Sequence, residues 1–170
     1  MISALQTELP VADEMINPLL DVRCARHELR RFKFDEDDIL NAVKGGFLEW
    51  AFDISNGEMD RRMELRILPA SVENFIATGG TRKLNWDWDR VAKEIIRGAT
   101  RTINLRGSEI AIIEGKTAKL LLNCSGTQVN EFVPHQLKLL PGTSVSTGPN
   151  GTAQILAESF VEFLRKRRIK

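Results

Sequence analysis

The sequence predicts an α+β fold, mainly α, built from two copies of one helical unit joined by a helical connector. Three observations predict it. Ile67-Leu68-Pro69-Ala70-Ser71-Val72-Glu73-Asn74-Phe75-Ile76 returns as Ile155-Leu156-Ala157-Glu158-Ser159-Phe160-Val161-Glu162-Phe163-Leu164, an offset of 88 in a chain of 170 residues. Upstream, Asp35 followed by Ile39, Ala42, Val43 and Phe47 is matched at an offset of 90 by Ser125 followed by Val129, Phe132, Val133 and Leu137. Between the matched stretches each copy carries an interrupted apolar run with turn residues in its middle. Self-similarity at a fixed offset marks one structural unit used twice.

Each element follows from local pattern. Apolar residues spaced by three and four fall on one helix face, and Asp35 and Ser125 are side chains that accept from the free amides of a first helical turn. Phe32 and Phe34 correspond to Leu122 and Cys124, the apolar residues of a tight turn between helices. Phe47 to Ile67 is 20 residues and Leu137 to Ile155 is 18, so a two-residue length change lies between helix and shared ending. In the first copy Leu48 to Ile54 alternates, Ser55-Asn56-Gly57-Glu58 supplies a turn, and Arg62 to Leu68 alternates again, which is a hairpin pattern. In the second, Leu137 to Leu140 leads through Ser146-Thr147-Gly148-Pro149-Asn150-Gly151-Thr152 to Ala153 to Leu156. Helix, turn, capped helix, hairpin and closing helix is the order of a winged helix-turn-helix. Its second helix enters a major groove and its hairpin reaches backbone or minor groove.

Asp35 to Ile76, and more fully Lys116-Thr117-Ala118-Lys119-Leu120-Leu121-Leu122-Asn123-Cys124-Ser125-Gly126-Thr127-Gln128-Val129 through Leu164, resemble the excisionase-type and MerR-like winged-helix family of DNA-binding proteins. The match covers half to two-thirds of the chain and rests on patterns rather than invariant residues. Lys119 departs from it, standing where the family has a small apolar residue. The resemblance implies double-stranded DNA as partner, action as an assembly (a homodimer or DNA-templated oligomer), and a recombinase or other protein partner. The implied organisation is a flexible arm at 1–15, a first winged unit at 16–79, a connector helix at 80–100 and a second winged unit at 101–170.

Composition sets the frame. A hydrophobic content of 42% is ordinary for a soluble chain. No long apolar run and no signal-like amino terminus is present, which reads as no membrane partner and a cytoplasmic, nucleoid-associated protein. Two cysteines without close spacing suit a reducing compartment. The formal net charge is +1, but residues 1–100 hold 14 Lys and Arg against 18 Asp and Glu, and residues 101–170 hold 10 against 5. Contact with phosphates depends on clustered cations rather than on the average.

The candidate DNA-binding residues divide between the copies. The first capped helix opens Asp35-Glu36-Asp37-Asp38, which opposes a phosphate field and equally suits a helix amino terminus. The second opens Gly126-Thr127-Gln128 with Asn130 beyond, compact side chains that donate and accept at base edges. Thr127, Gln128 and Asn130 are therefore the groove readers. Arg61, Arg62 and Arg66 on the first hairpin reach phosphates or a narrow minor groove, or else pair with Glu58, Asp60 and Glu64 beside them. Arg165, Lys166, Arg167 and Arg168 form a basic cluster that either meets phosphates or is the solvated end of a surface helix. The second hairpin has no cation at its tip and reaches phosphates only through backbone amides.

Gly79 and Gly80 end the first closing helix, and Asp87 or Asp89 caps a connector helix with Val91, Ile95 and Ile96 on one side. Trp86 and Trp88 pack that connector, which otherwise serves as a dimer surface. Ile103 to Leu105 and Ile110 to Ile113 around Arg106-Gly107-Ser108 form a further short hairpin. Chemistry is sparse. His27 and His135 are the two histidines, and Cys24 with His27 is one ligand pair, far short of a zinc site. Ser125 is a cap without a base nearby, and Gly148-Pro149-Asn150-Gly151 is a hairpin tip, not a phosphate cradle. The sequence reads as a non-enzyme with no cofactor, no metal and no catalytic residue. It is either a sequence-specific DNA-binding regulator or recombination accessory factor of a mobile element, or a protein-interaction module on winged helices without a DNA role.

Overall fold

A computed structural model describes residues 16–55, 63–133, 135–141 and 153–169. These form an α+β fold, mainly helical, with seven α-helices and two small antiparallel sheets among the described residues. Residues 19–91 with 164–170 make a first compact unit, and residues 16–18 with 92–163 make a second.

In the first unit, α1 (Val22–Glu28) starts at Asp21, whose side chain accepts from the Cys24 amide at 2.8 Å. A 3-10 turn, Arg30–Phe32, ends at Lys33 with φ 57° and leads to α2 (Glu36–Lys44). The sequence places Ile39, Ala42 and Val43 on one face, and all three are buried. The strands β1 (Ala51–Asp53) and β2 (Leu65–Ile67) pair antiparallel with Phe52 opposite Arg66. Leu20 and Ile67 exchange backbone bonds of 2.9 and 2.8 Å on the other side of β2. Helix α3 (Pro69–Thr78) begins on a proline, which is preset for a first turn, and ends at Gly79 with φ 65°. The core joins Leu29, Ile39, Leu48, Ile67 and Phe75, and the rings of Phe32 and Phe75 meet edge to face at 5.2 Å.

The connector helix α4 (Trp88–Ile96) is capped by Asp87, whose carboxylate accepts from the Arg90 amide at 2.8 Å. Val91 and Ile95 are buried. Trp88 packs on Trp50 at 5.9 Å between ring centres, while Trp86 carries the Arg90 guanidinium at 4.1 Å.

In the second unit, β3 (Arg101–Leu105) and β4 (Ser108–Glu114) form the short hairpin the sequence predicts, turning at Arg106 and Gly107 with φ 52° and 84°. Two successive positive φ values fit the twist of antiparallel strands. Helix α5 (Gly115–Leu122) ends at Asn123, φ 50°, and α6 (Gly126–Phe132) follows. The last strand, β5 (Gln154–Leu156), pairs with β4, Ile113 opposite Ile155, and takes Leu139 on its other side. Helix α7 (Ala157–Lys166) closes the copy, with Phe160 buried and the Phe163 ring 4.8 Å from that of Phe132.

Two backbone bonds recur between the copies. The Phe47 amide donates to the Ala42 carbonyl at 2.9 Å, and Leu137 donates to Phe132 at 2.9 Å, an offset of 90. Leu68 donates to Trp50 at 3.0 Å and Leu156 to Lys138 at 2.9 Å, an offset of 88. The two-residue change therefore sits in the helix-to-strand turn, between Phe47 and Trp50 in one copy and between Leu137 and Lys138 in the other. In each copy the last strand lies in the middle, with Ile67 between Leu20 and Ala51, and Ile155 between Ile113 and Leu139. The strand expected from Leu48 to Ile54 is shorter than its alternation suggests. Trp50 takes φ 61°, which an extended strand cannot contain. The arm at 1–15 and both hairpin tips, 56–62 and 142–152, fall outside the described residues, and Arg61 and Arg62 with them.

Candidate nucleic-acid interface

The second unit presents α6 by packing and capping. Asn123 in the left-handed region ends α5 and turns the chain through Cys124 to Ser125, whose hydroxyl accepts from the Gln128 amide at 3.1 Å. An Asn tolerates that backbone better than most side chains. Val129 and Phe132 are buried, which fixes the rotation of α6 about its axis and leaves Thr127 and Asn130 exposed and Gln128 half-buried. Helix α5 packs against α6 and exposes Lys116 and Lys119. Lys116 reaches Glu114 at 3.6 Å, an exposed pair of small energetic weight. Just beyond α6, the Gln136 amide donates to the Phe132 carbonyl at 2.8 Å and the Lys138 amide to the Ser159 hydroxyl at 2.7 Å. Lys138 is exposed there. Three amide- or hydroxyl-bearing side chains and three lysines thus decorate one unit, with Glu131 the acidic residue of α6.

The first unit is different. Asp35 accepts from the Asp38 amide at 2.8 Å, and Asp38 accepts from the Asp35 amide at 2.9 Å. The acidic opening of α2 is therefore a reciprocal cap, with Glu36 and Asp37 exposed beside it. The bond from the Asp38 amide holds the Asp35 carboxyl below its ordinary value of 3.8. Arg66 is 8% exposed: its guanidinium donates to the Leu65 carbonyl at 2.9 Å and stands 3.9 Å from Glu64. It lies within the sheet rather than on a hairpin surface.

The basic cluster is split by the fold. Arg165 and Lys166 are exposed on the last turn of α7. Arg167 turns inward, donating to the Asp53 carbonyl at 3.1 Å and the Ser55 carbonyl at 2.8 Å. Burial pushes its guanidinium pKa down, against the opposing pull of Asp53. Arg168 lies over the Trp50 ring at 3.5 Å. Sequence reasoning did not single out Lys116, Lys119 or Lys138 as site residues. Lys138 was detectable through the offset of 88, as a lysine where the first copy has a buried tryptophan.

Other chemistry is thin on the same view. His27 stands 3.4 Å from Arg30, and among the described residues no group of three His, Cys, Asp or Glu is placed to hold a metal ion. No described helix is long and apolar enough to cross a membrane. Compared with known proteins, the chain matches no family model, no curated protein and no solved structure.

Proposed function

We propose that the chain is a tandem winged helix-turn-helix protein that binds double-stranded DNA through its second unit, as a transcriptional regulator or recombination accessory factor. The observation that carries this reading is α6. It is capped at Ser125 and locked by Val129 and Phe132, and so turns Thr127 and Asn130 to solvent with Gln128 at their side. Side chains of this kind read base edges in a major groove, while Lys116, Lys119 and Lys138 supply the phosphate contacts that fix register. The shared strand order of the two copies supports the winged architecture, with the connector α4 between them in sequence. Among the described residues the first unit carries no matching surface: its helix start is acidic, and Arg66 and Arg167 are engaged within the protein. It serves as the docking half, for a protein partner or a second copy.

The test is selection from a random DNA pool with the full chain, followed by mobility-shift titration of the selected site at several salt concentrations. Specific binding that weakens steeply with salt is expected. Thr127→Ala and Asn130→Ala each remove about 1–3 kcal/mol of discrimination at one base position, whereas Lys119→Ala weakens all sequences alike and flattens the salt slope. No selected sequence, and no binding near physiological salt, refutes the reading.

A further inference from the structure

Residues 167–169 are docked as a strand. The Asp53 amide donates to the Arg167 carbonyl at 2.9 Å and the Ile169 amide to the Ala51 carbonyl at 2.8 Å, which pairs Phe52 with Arg168. This adds main chain to the β1 edge that β2 does not use. Side chains give the addition a sequence. Arg167 enters a cage of two carbonyls, Asp53 at 3.1 Å and Ser55 at 2.8 Å. Arg168 covers the Trp50 ring at 3.5 Å, and Ile169 packs on the first unit's core.

Trp50 is the second observation. It holds φ 61°, a backbone region that bulky residues avoid and that persists only where the surroundings enforce it. A glycine would occupy this φ without strain. A tryptophan there instead presents a ring backed by Trp88 at 5.9 Å and faced by a guanidinium. Main-chain pairing supplies affinity and alternating side-chain sites supply selectivity, which is how sheet edges recognise extended peptides.

We infer that the β1 edge is a peptide-docking site, filled in cis by the chain's own Arg167-Arg168-Ile169, and that it accepts an extended partner-protein segment of the pattern Arg-Arg-aliphatic. The first arginine goes to the carbonyl cage, the second to the Trp50 face and the aliphatic residue to the core margin. The partner gains access by displacing the tail, so the resident strand sets the threshold for binding. This inference stands apart from the DNA reading, since it uses none of the residues of α5 or α6.

The test uses a fluorescent peptide of residues 164–170 and full-length protein. The peptide binds the Arg167→Ala/Arg168→Ala chain saturably, and binds the unaltered chain about tenfold or more weakly because the resident tail leaves only a fraction of edges open. A peptide with both arginines replaced by alanine binds neither. Equal binding of both peptides, or no binding to the altered chain while its tryptophan fluorescence shows a folded first unit, overturns the inference. If that variant does not fold, the unaltered chain decides. Saturating native peptide must speed tryptic cleavage after Arg167 while the alanine peptide does not, and no acceleration overturns the site. Concentration-dependent self-association of the unaltered chain that Arg168→Ala abolishes overturns the assignment to a partner protein, because a second copy is then the occupant.

Discussion

Ile67→Ala tests the central-strand architecture most directly. Ile67 is 0% exposed, exchanges two backbone bonds with Leu20 and stands opposite Ala51. Alanine keeps the backbone bonds, so the loss is one of packing. Removing three buried carbons at ~0.8 kcal/mol each gives about 2.4 kcal/mol. The space left between flanking strands adds a cavity contribution, for a total of about 3–4 kcal/mol. That is a large part of the 5–15 kcal/mol typical of a folded domain. The assay is urea unfolding followed by tryptophan fluorescence. All three tryptophans, Trp50, Trp86 and Trp88, lie in the first unit, so the signal reports the unit that carries the change. A lower midpoint with an unchanged slope is expected. Ile155, also 0% exposed and flanked by Ile113 and Leu139, calls for a loss of similar size when changed to alanine and followed by circular dichroism. A loss under about 1 kcal/mol at Ile67 refutes the argument, because a residue packed from both sides cannot give up three carbons that cheaply.

Further outcomes follow from the caps and turns. The Asp35 carboxyl is held below its ordinary value by the Asp38 amide, so its stabilisation is present above the unfolded value of 3.8 and is lost as pH falls through the lower folded one. Asp35→Asn retains an acceptor without the titration. Unfolding titrations at stepped pH should show the gap between the two proteins narrowing in acid, and a gap constant down to strongly acidic pH contradicts the cap. Gly80→Ala should destabilise more than Gly79→Ala. Both glycines hold positive φ, 84° and 65°, but a methyl at position 80 would meet the Phe75 ring at 2.8 Å while position 79 is open. Gly79→Ala costs about 1 kcal/mol for the left-handed backbone alone, and equal melting temperatures for the two variants would contradict that contact.

What the sequence reveals here is local chemistry. Asp35 and Ser125 are legible as caps because a short acceptor before an apolar helix face has little else to do. The β3–β4 hairpin is legible because alternation brackets Arg106-Gly107. Residues whose roles come from distant partners are not. Leu20 joins the first sheet through Ile67, and two leucines before a helix carry no strand period. Arg167 looks like a surface cation in a one-dimensional reading, yet the Asp53 and Ser55 carbonyls brought near by folding claim it, and Arg66 is buried within the sheet. A basic run also conceals its own strand, since main-chain pairing depends on the edge it meets and not on the charge it carries. The exposed residues of α6 are legible for the opposite reason: Val129 and Phe132 fix the helix rotation, and the outward positions follow by counting.

The two copies differ in length between the second helix and the backbone pairing that follows it, and not beyond that pairing. Phe52 to Arg66 and Leu140 to Gln154 are each separated by 14 positions, and both are paired through their backbones. Residues 53–65 and 141–153 are therefore cassettes of one gauge. Either can be transplanted into the other half without slipping a strand by the single position that would turn every side chain to the wrong face. Such chimeras turn the internal duplication into a tool, because they separate what each exchanged segment contributes from what its scaffold contributes inside one polypeptide.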